Sequence, residues 1–296
     1  MMKGRIMASW INKIKVRMRR DPRIKVFLKY HRKTKDPEIL SMMKFMKKHN
    51  QFNMMNCELS QNYNADNIIV NREEGVLNSY VMHEGKKLYF TKNKDEVGVK
   101  NNYIALAKEQ DKNSPHCYLS EQDLKDIIDY KKRGGYIRLF EFGTAEGMFS
   151  LKLSELVDEI HLFECKPEWI EALQLTFSPW KEKVSIINKY VTDKNDDNSV
   201  SLDEYLSGKP YEGLDIVKMD IEGAEIDALH GMKNFLRDSK NFKLFVCVYH
   251  NQEDEKQVKD ICKNFDIETN KGYFCFYEDP NYGEPYVRRC LLKISK

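Results

Sequence analysis

Glu141-Phe142-Gly143-Thr144-Ala145-Glu146-Gly147 closes the apolar run that begins at Ile137 and leads directly into the helical pattern Met148–Leu156. Glycines at such a junction let the backbone turn tightly and approach a ligand closely. A strand, a glycine loop and a helix in that order open a βαβ unit, whose ligand sits at the carboxyl end of the strand. The chain keeps that rhythm downstream. Strands are expected over Glu159–Phe163, Val184–Asn188, Leu214–Met219 and Phe242–Tyr249, with helices between them over Trp169–Phe177, Ala224–Leu229, on to Leu236, and Glu253–Asn264. Closing strands near Phe265–Glu268, Tyr273–Tyr277 and Val287–Ile294 have no helix between them. The expected fold is therefore α/β, a mainly parallel sheet covered on both faces with an antiparallel pair at one edge.

The spacing of the loop selects its ligand. A dinucleotide-binding turn prefers G-x-G-x-x-G, which wraps a pyrophosphate at a helix N-terminus. Here the pattern is G-x-x-x-G with an acid, Glu141, two residues before the first glycine. That acid repels a pyrophosphate and suits the ammonium of a methionine moiety, so S-adenosylmethionine is favoured over NAD. Gly143, Thr144, Ala145, Glu146 and Gly147 are the candidate loop contacts. The second strand ends in Glu164, where an acid accepts hydrogen bonds from ribose hydroxyls. The third runs into Tyr190, Val191, Thr192 and Asp193, placed for the adenine ring; an ordinary polar turn reads equally well there.

Further along, Val217-Lys218-Met219-Asp220-Ile221-Glu222-Gly223-Ala224-Glu225, together with Ser201-Leu202-Asp203-Glu204-Tyr205-Leu206 and Leu229-His230-Gly231, resembles the FkbM-type family of S-adenosylmethionine-dependent methyltransferases. The specific part is K-x-D-x-E-G-x-E, and the similarity runs from about residue 136 to about 265. The resemblance implies a class I methyltransferase (Rossmann-like) sheet and O-methylation of a hydroxyl on a sugar, a polysaccharide or a natural product. Glu141 departs from the aspartate more usual in the family, which keeps the charge and changes the reach. The block Glu109 to Tyr118, with His116 inside it, also looks like one found upstream in some members, although Ser114-Pro115 could simply punctuate a turn.

Moving a methyl group to a hydroxyl requires a positioned oxygen, exclusion of water and a base. Asp220, Glu222 and His250 stand at the ends of the fourth and fifth strands, with His116 a further candidate. Either His250 or Asp220 serves as general base, or Asp220, Glu222 and His250 bind Mg²⁺ or Mn²⁺ to acidify the alcohol. Lys218 is expected to pair with Glu222 or Glu225.

The 296 residues are 41% hydrophobic and 32% charged, enough for one α/β domain and about a hundred residues besides. The expected division is a basic helical segment over 1–60, a small α+β lobe and linker over 61–133, and the cofactor-binding domain over 134–296. In the lobe, strands are expected over Ile68–Asn71, Leu77–Met82 and Lys87–Phe90, and helices over Asn101–Gln110 and Ser120–Tyr130. Residues 1–35 hold 13 Lys/Arg against one acid, and the net +3 of the whole chain hides that asymmetry. Trp10, Ile11, Ile14, Met18, Ile24, Phe27 and Leu28 recur at helical spacing there. The segment suits peripheral contact with an anionic membrane, or docking on its own protein or on a second copy in a homo-oligomer.

No apolar run is long enough to span a membrane and no signal core follows Lys3 and Arg5, so a protein that is cytoplasmic, either free or peripheral at the inner membrane face, is expected. Seven scattered cysteines without a CxxC pair read as reduced, buried thiols. The expected acceptor is a sugar or glycan, lipid- or nucleotide-linked, with Tyr273, Tyr277, Asn281, Tyr282 and Tyr286 candidates to stack on it or to pack an edge strand. Nucleic acid is disfavoured, because acids after the fourth strand repel phosphate and no D/N-P-P-Y/F string is present. A non-catalytic module that binds S-adenosylmethionine is the alternative from another class.

Overall fold

The computed structural model describes residues 30, 33–49, 54–209, 213–276 and 286–296. The apolar positions of the basic head from Trp10 to Leu28 fall outside these residues, as do Tyr277, Asn281 and Tyr282. Ahead of the main domain lie α1 (Pro37–His49), the strands β1 (Val70–Arg72), β2 (Ser79–His83) and β3 (Lys86–Tyr89), then α2 (Glu96–Glu109) and α3 (Glu121–Lys132). The three strands form an antiparallel sheet. Ser120 caps α3 as its sequence suggests, in a reciprocal capping box with Asp123. Helix α2 starts a turn and a half earlier than its apolar pattern indicates. Asp95 accepts from Gly98 N at 2.8 Å and caps it, outweighing the glycine in the first turn.

The main domain alternates β4 (Ile137–Phe142), α4 (Met148–Leu153), β5 (Glu159–Phe163), α5 (Pro167–Thr176), β6 (Val184–Ile187), the short pair β7 (Tyr190–Val191) and β8 (Ser199–Val200), and α6 (Leu202–Tyr205). It continues through β9 (Leu214–Met219), α7 (Glu225–His230), α8 (Lys233–Asp238), β10 (Phe242–Cys247), α9 (Asp254–Ile261), β11 (Asp266–Thr269), β12 (Phe274–Cys275), β13 (Val287–Arg288) and β14 (Leu291–Ser295). The seven-stranded sheet has the order β11-β14-β10-β9-β4-β5-β6. Only β14 runs against the others, antiparallel to both β10 and β11. Numbered along the domain this is 6-7-5-4-1-2-3, the class I methyltransferase arrangement, with the antiparallel pair at the expected edge.

Strand alternation divides the core in two. Ile137, Leu139 and Ile216 face one hydrophobic cluster, shared with Leu88, Phe90 and Val99 of the N-terminal lobe. Phe140, Phe142, Val217 and Met219 face the other, under Ala228, Leu229 and Phe235. The lobe is therefore packed onto the main sheet through one continuous core.

Register also dictates the buried ion pairs. Glu141 and Lys218 are cross-strand partners on the first face, and Arg138 and Asp215 on the second. Arg138 meets Asp215 through two bonds, of 2.7 and 3.1 Å. All seven cysteines are free. Among the described residues no helix is long and apolar enough to cross a membrane.

Candidate active site

A cavity of about 580 Å³ opens at the carboxyl ends of β4, β5 and β9. Its floor is the turn after β4. Gly143 adopts φ +70°, and a Cβ there would stand 1.9 Å from Asp220 O, so the turn and the end of β9 approach each other only because the residue is glycine. Ala145 (φ +46°) and Glu222 (φ +57°) are non-glycine residues in the left-handed region, and both line the cavity. Strain of this sort gathers where loops are held around a ligand.

Of the candidate cofactor contacts, Glu141, Gly143, Thr144, Ala145, Glu146, Glu164, Tyr190 and Val191 all border this cavity. Gly147 sits one step behind, as N-cap of α4, packed against Phe177 and Leu173. Thr192 and Asp193 are a correction. They lie outside the wall, where Thr192 Oγ1 donates to Asp193 Oδ1 at 3.1 Å and Thr192 N pairs with Val200 O across the β7–β8 ladder. These two form the ordinary polar turn, and Lys189, Cys165 and Lys166 take their place in the lining.

The carboxylates around the cavity are held very differently. Glu141, buried, accepts from Ser150 N at 3.2 Å and from Ser150 Oγ, and its Oε1 lies 3.5 Å from Lys218 Nζ. Lys218 thus pairs with Glu141, its neighbour in register, and not with Glu222 or Glu225 as expected. Burial works against both charges. On Lys218 it is outweighed by Glu141 and Asp220, which raise its pKa; on Glu141 burial prevails over Lys218 and Ser150, raising that pKa too. Glu164 accepts from Ala145 N at 2.7 Å and Lys166 N at 2.8 Å, so it braces the loop while keeping lone pairs for hydroxyl donors. Glu146 is bonded by Asn102 of α2, which ties the N-terminal lobe to the loop.

Asp220 is the centre of a polar cluster. Tyr118 donates to its Oδ2 at 2.8 Å and Tyr249 to its Oδ1 at 3.2 Å. His250 Nε2 is 3.4 Å from Oδ1 and His116 Nε2 is 3.8 Å from Oδ2. Burial opposes ionisation of Asp220, but Lys218, the two histidines and Tyr118 outweigh it and hold its pKa below the carboxylate range. His250 stands between two acids, with Nδ1 2.9 Å from Glu225 Oε1, although that contact lacks the alignment of a hydrogen bond. Burial lowers its pKa, yet Glu225, Asp220 and Glu222 prevail and raise it.

His116 and Glu222 occupy positions unlike those expected for catalytic groups. His116 is 1% exposed and sealed behind Tyr118, with Nε2 3.2 Å from Cys247 Sγ; burial lowers its pKa to about 4. It supports the site from behind. Glu222 is at the mouth, its side chain 80% exposed and Oε2 3.6 Å from His250 Nε2. Among the described residues two groups have ligand atoms converging within 4.8 Å, His116 with Asp220 and Cys247, and Asp220 with Glu225 and His250, so in the second Glu225 stands where Glu222 was expected in a metal set. Glu225 is fully buried, accepts from Ile221 N at 2.9 Å, and leaves Oε2 without a partner.

Glu225, Tyr118 and Tyr249 are the contacts that sequence reasoning missed. The second acid of E-G-x-E and the tyrosine directly before His250 were the available signals. Tyr273 does not face the cavity: it donates to Asp36 and lies under Arg289, whose guanidinium is 3.9 Å from the ring centre, so it packs an edge.

Among solved structures, the precorrin-8w decarboxylase of Methanobacterium thermoautotrophicum is similar, at 13% identity and a TM-score of 0.39, over 60% of this chain and 90% of that one. The precorrin-6y C5,15-methyltransferase of Geobacter metallireducens is similar at 10% identity and a TM-score of 0.37, over 60% and 87%. So is the N-methyltransferase NodS of Bradyrhizobium japonicum in complex with S-adenosyl-L-homocysteine, at 11% and 0.37, over 66% and 97%. No curated protein matches the chain. Residues 175–275, which carry β9, Asp220, Glu225 and His250, match the family model described as the methyltransferase FkbM domain, the family that the sequence resembles.

Proposed function

We propose that this chain is an S-adenosylmethionine-dependent O-methyltransferase acting on a hydroxyl of a sugar or glycan. The observation that carries the reading is the single cavity into which β4, β5 and β9 deliver Glu141, Glu164 and Asp220. Its volume is in the range of ordinary small-molecule sites. The residues present fit the cofactor. Glu164 retains acceptor capacity for ribose hydroxyls, Glu141 offers a carboxylate toward an ammonium, and Tyr190 and Val191 flank the space for a purine. Bound S-adenosylmethionine would supply a methyl carbon made electrophilic by its sulfonium. The chain's own residues would hold the acceptor oxygen in line, keep water out and accept a proton.

The glycan acceptor rests on the family match and on charge. Glu109, Asp220 and Glu222 line the cavity, so an anionic polymer is repelled and a neutral polyhydroxyl is not. Residues 1–35 would carry any contact with an anionic membrane.

The metal question has two readings. The unpartnered Glu225 Oε2 favours a cation held by Asp220, Glu225 and His250, and two carboxylates with one imidazole suit Mg²⁺ or Mn²⁺. The raised pKa of His250 favours a proton in that place and a metal-free transfer. Transfer of a labelled methyl group to a carbohydrate extract of the source cells tests both. Retained transfer after EDTA supports the metal-free form. Transfer lost to EDTA and restored by Mg²⁺ or Mn²⁺ establishes the other, and no transfer to any fraction overturns the function.

A further inference from the structure

We propose that Glu109, the last residue of α2, is the general base that takes the proton of the acceptor hydroxyl. The proposal rests on the methyl-transfer reading above. Six carboxylates line the cavity: Glu109, Glu141, Glu146, Glu164, Asp220 and Glu222. Four are bonded: Glu141 by Ser150, Glu146 by Asn102, Glu164 by two backbone N–H groups, and Asp220 by Tyr118 and Tyr249. Burial still raises the pKa of Glu141 and Glu146, so what sets those two aside is that donors already hold their carboxylates. Glu222 is in solvent. Among the described residues no donor meets the half-buried Glu109 carboxylate.

Its position sets it apart in other ways. An acid in the last turn of a helix lies at the negative end of the helix dipole, where it destabilises the helix. Yet α2 is held so that this turn forms cavity wall. Tyr63 bonds to Ala107 O at 3.1 Å and to Asp111 Oδ2 at 2.9 Å on either side of Glu109, and Leu106 and Gln110 also line the space. The charged groups facing Glu109 are Asp220, Glu146 and Glu222, opposed by Lys218. Burial and the three acids raise its pKa to about 7, the value suited to a base at neutral pH. His250, held between Asp220 and Glu225, and Asp220, a weakly basic carboxylate bonded by two tyrosines, are poor alternatives. In the step, the hydroxyl oxygen forms its bond to the methyl carbon and the C–S bonding pair leaves with sulfur. The O–H bond breaks as a Glu109 oxygen takes the proton, which passes later to solvent.

The first test is calorimetry of S-adenosylmethionine binding in buffers of differing ionisation enthalpy. A sulfonium near Glu109 should expel its proton, so wild type releases up to about half a proton per molecule bound at pH 7. S-adenosylhomocysteine, without the charge, releases less. E109Q binds both ligands without that difference. The second test is labelled-methyl transfer to the carbohydrate extract across pH. E109Q should fall at least about a hundredfold and lose the limb near pH 7, and E109D should restore part of the rate. Proton release or a pH limb unchanged in E109Q overturns the role of Glu109 alone. Absence of S-adenosylmethionine binding or of any transfer by wild type overturns the parent reading, and Glu109's role with it.

Discussion

Lys218 Nζ lies 3.5 Å from Glu141 Oε1 on the adjacent strand and donates a 2.7 Å hydrogen bond to Gly143 O, so one ammonium fixes both the first acid of the site and the turn beneath the cavity. Removing it leaves a buried carboxylate unpaired. Lys218→Met should lower stability by about 3 kcal/mol, the scale of a buried pair broken on one side. In urea titrations, Lys218→Met with Glu141→Gln should recover part of that loss. A single variant as stable as wild type would show that the pair contributes nothing.

His116 gives a pH signature. Its pKa falls to about 4 in the folded chain because burial penalises its charge. Between that value and the unfolded value of about 6.5, the unfolded chain binds more protons, so stability rises with pH there and is lost as pH falls from 6.5 through 4. His116→Phe can stack on Phe274, which the imidazole already does at 5.4 Å, and it removes the titrating group. Denaturant midpoints measured from pH 7 to 4 should slope less in this variant than in wild type.

Gly143→Ala should disrupt the floor of the cavity. Its Cβ would meet Asp220 O, and its φ of +70° is strained for alanine. We expect a loss of at least about 1–2 kcal/mol in stability, and S-adenosylmethionine binding too weak to measure by calorimetry.

Glu164→Gln should keep the fold and weaken S-adenosylmethionine binding about tenfold or more, the worth of a hydrogen bond to a charged group. Calorimetry with methionine alone should show no change, because Glu164 is assigned to the ribose.

Most of the fold is legible because period and register act locally. Ile137–Phe142 and Leu214–Met219 read as strands from their apolar runs, and both occur with those bounds. Ser120 announces its helix through side-chain chemistry. The small β7–β8 ladder was hidden, since two residues per strand give no periodicity. The turn that floors the cavity was legible from glycine spacing and paired acids. The arrangement around Asp220 was not. Tyr118 comes from 102 residues upstream and enters the site only because the N-terminal lobe packs on the main sheet. Glu222 and Glu225 share one short string, and the left-handed turn at Glu222 decides which of them faces water.

The central claim is that this chain places a methyl group on a glycan hydroxyl, and mass spectrometry of surface glycans from cells with and without the chain tests it most directly. The account predicts one sugar fragment lighter by a single CH₂ in cells lacking the chain, restored by wild type and not by Asp220→Ala. Identical glycan spectra in both kinds of cell would contradict it.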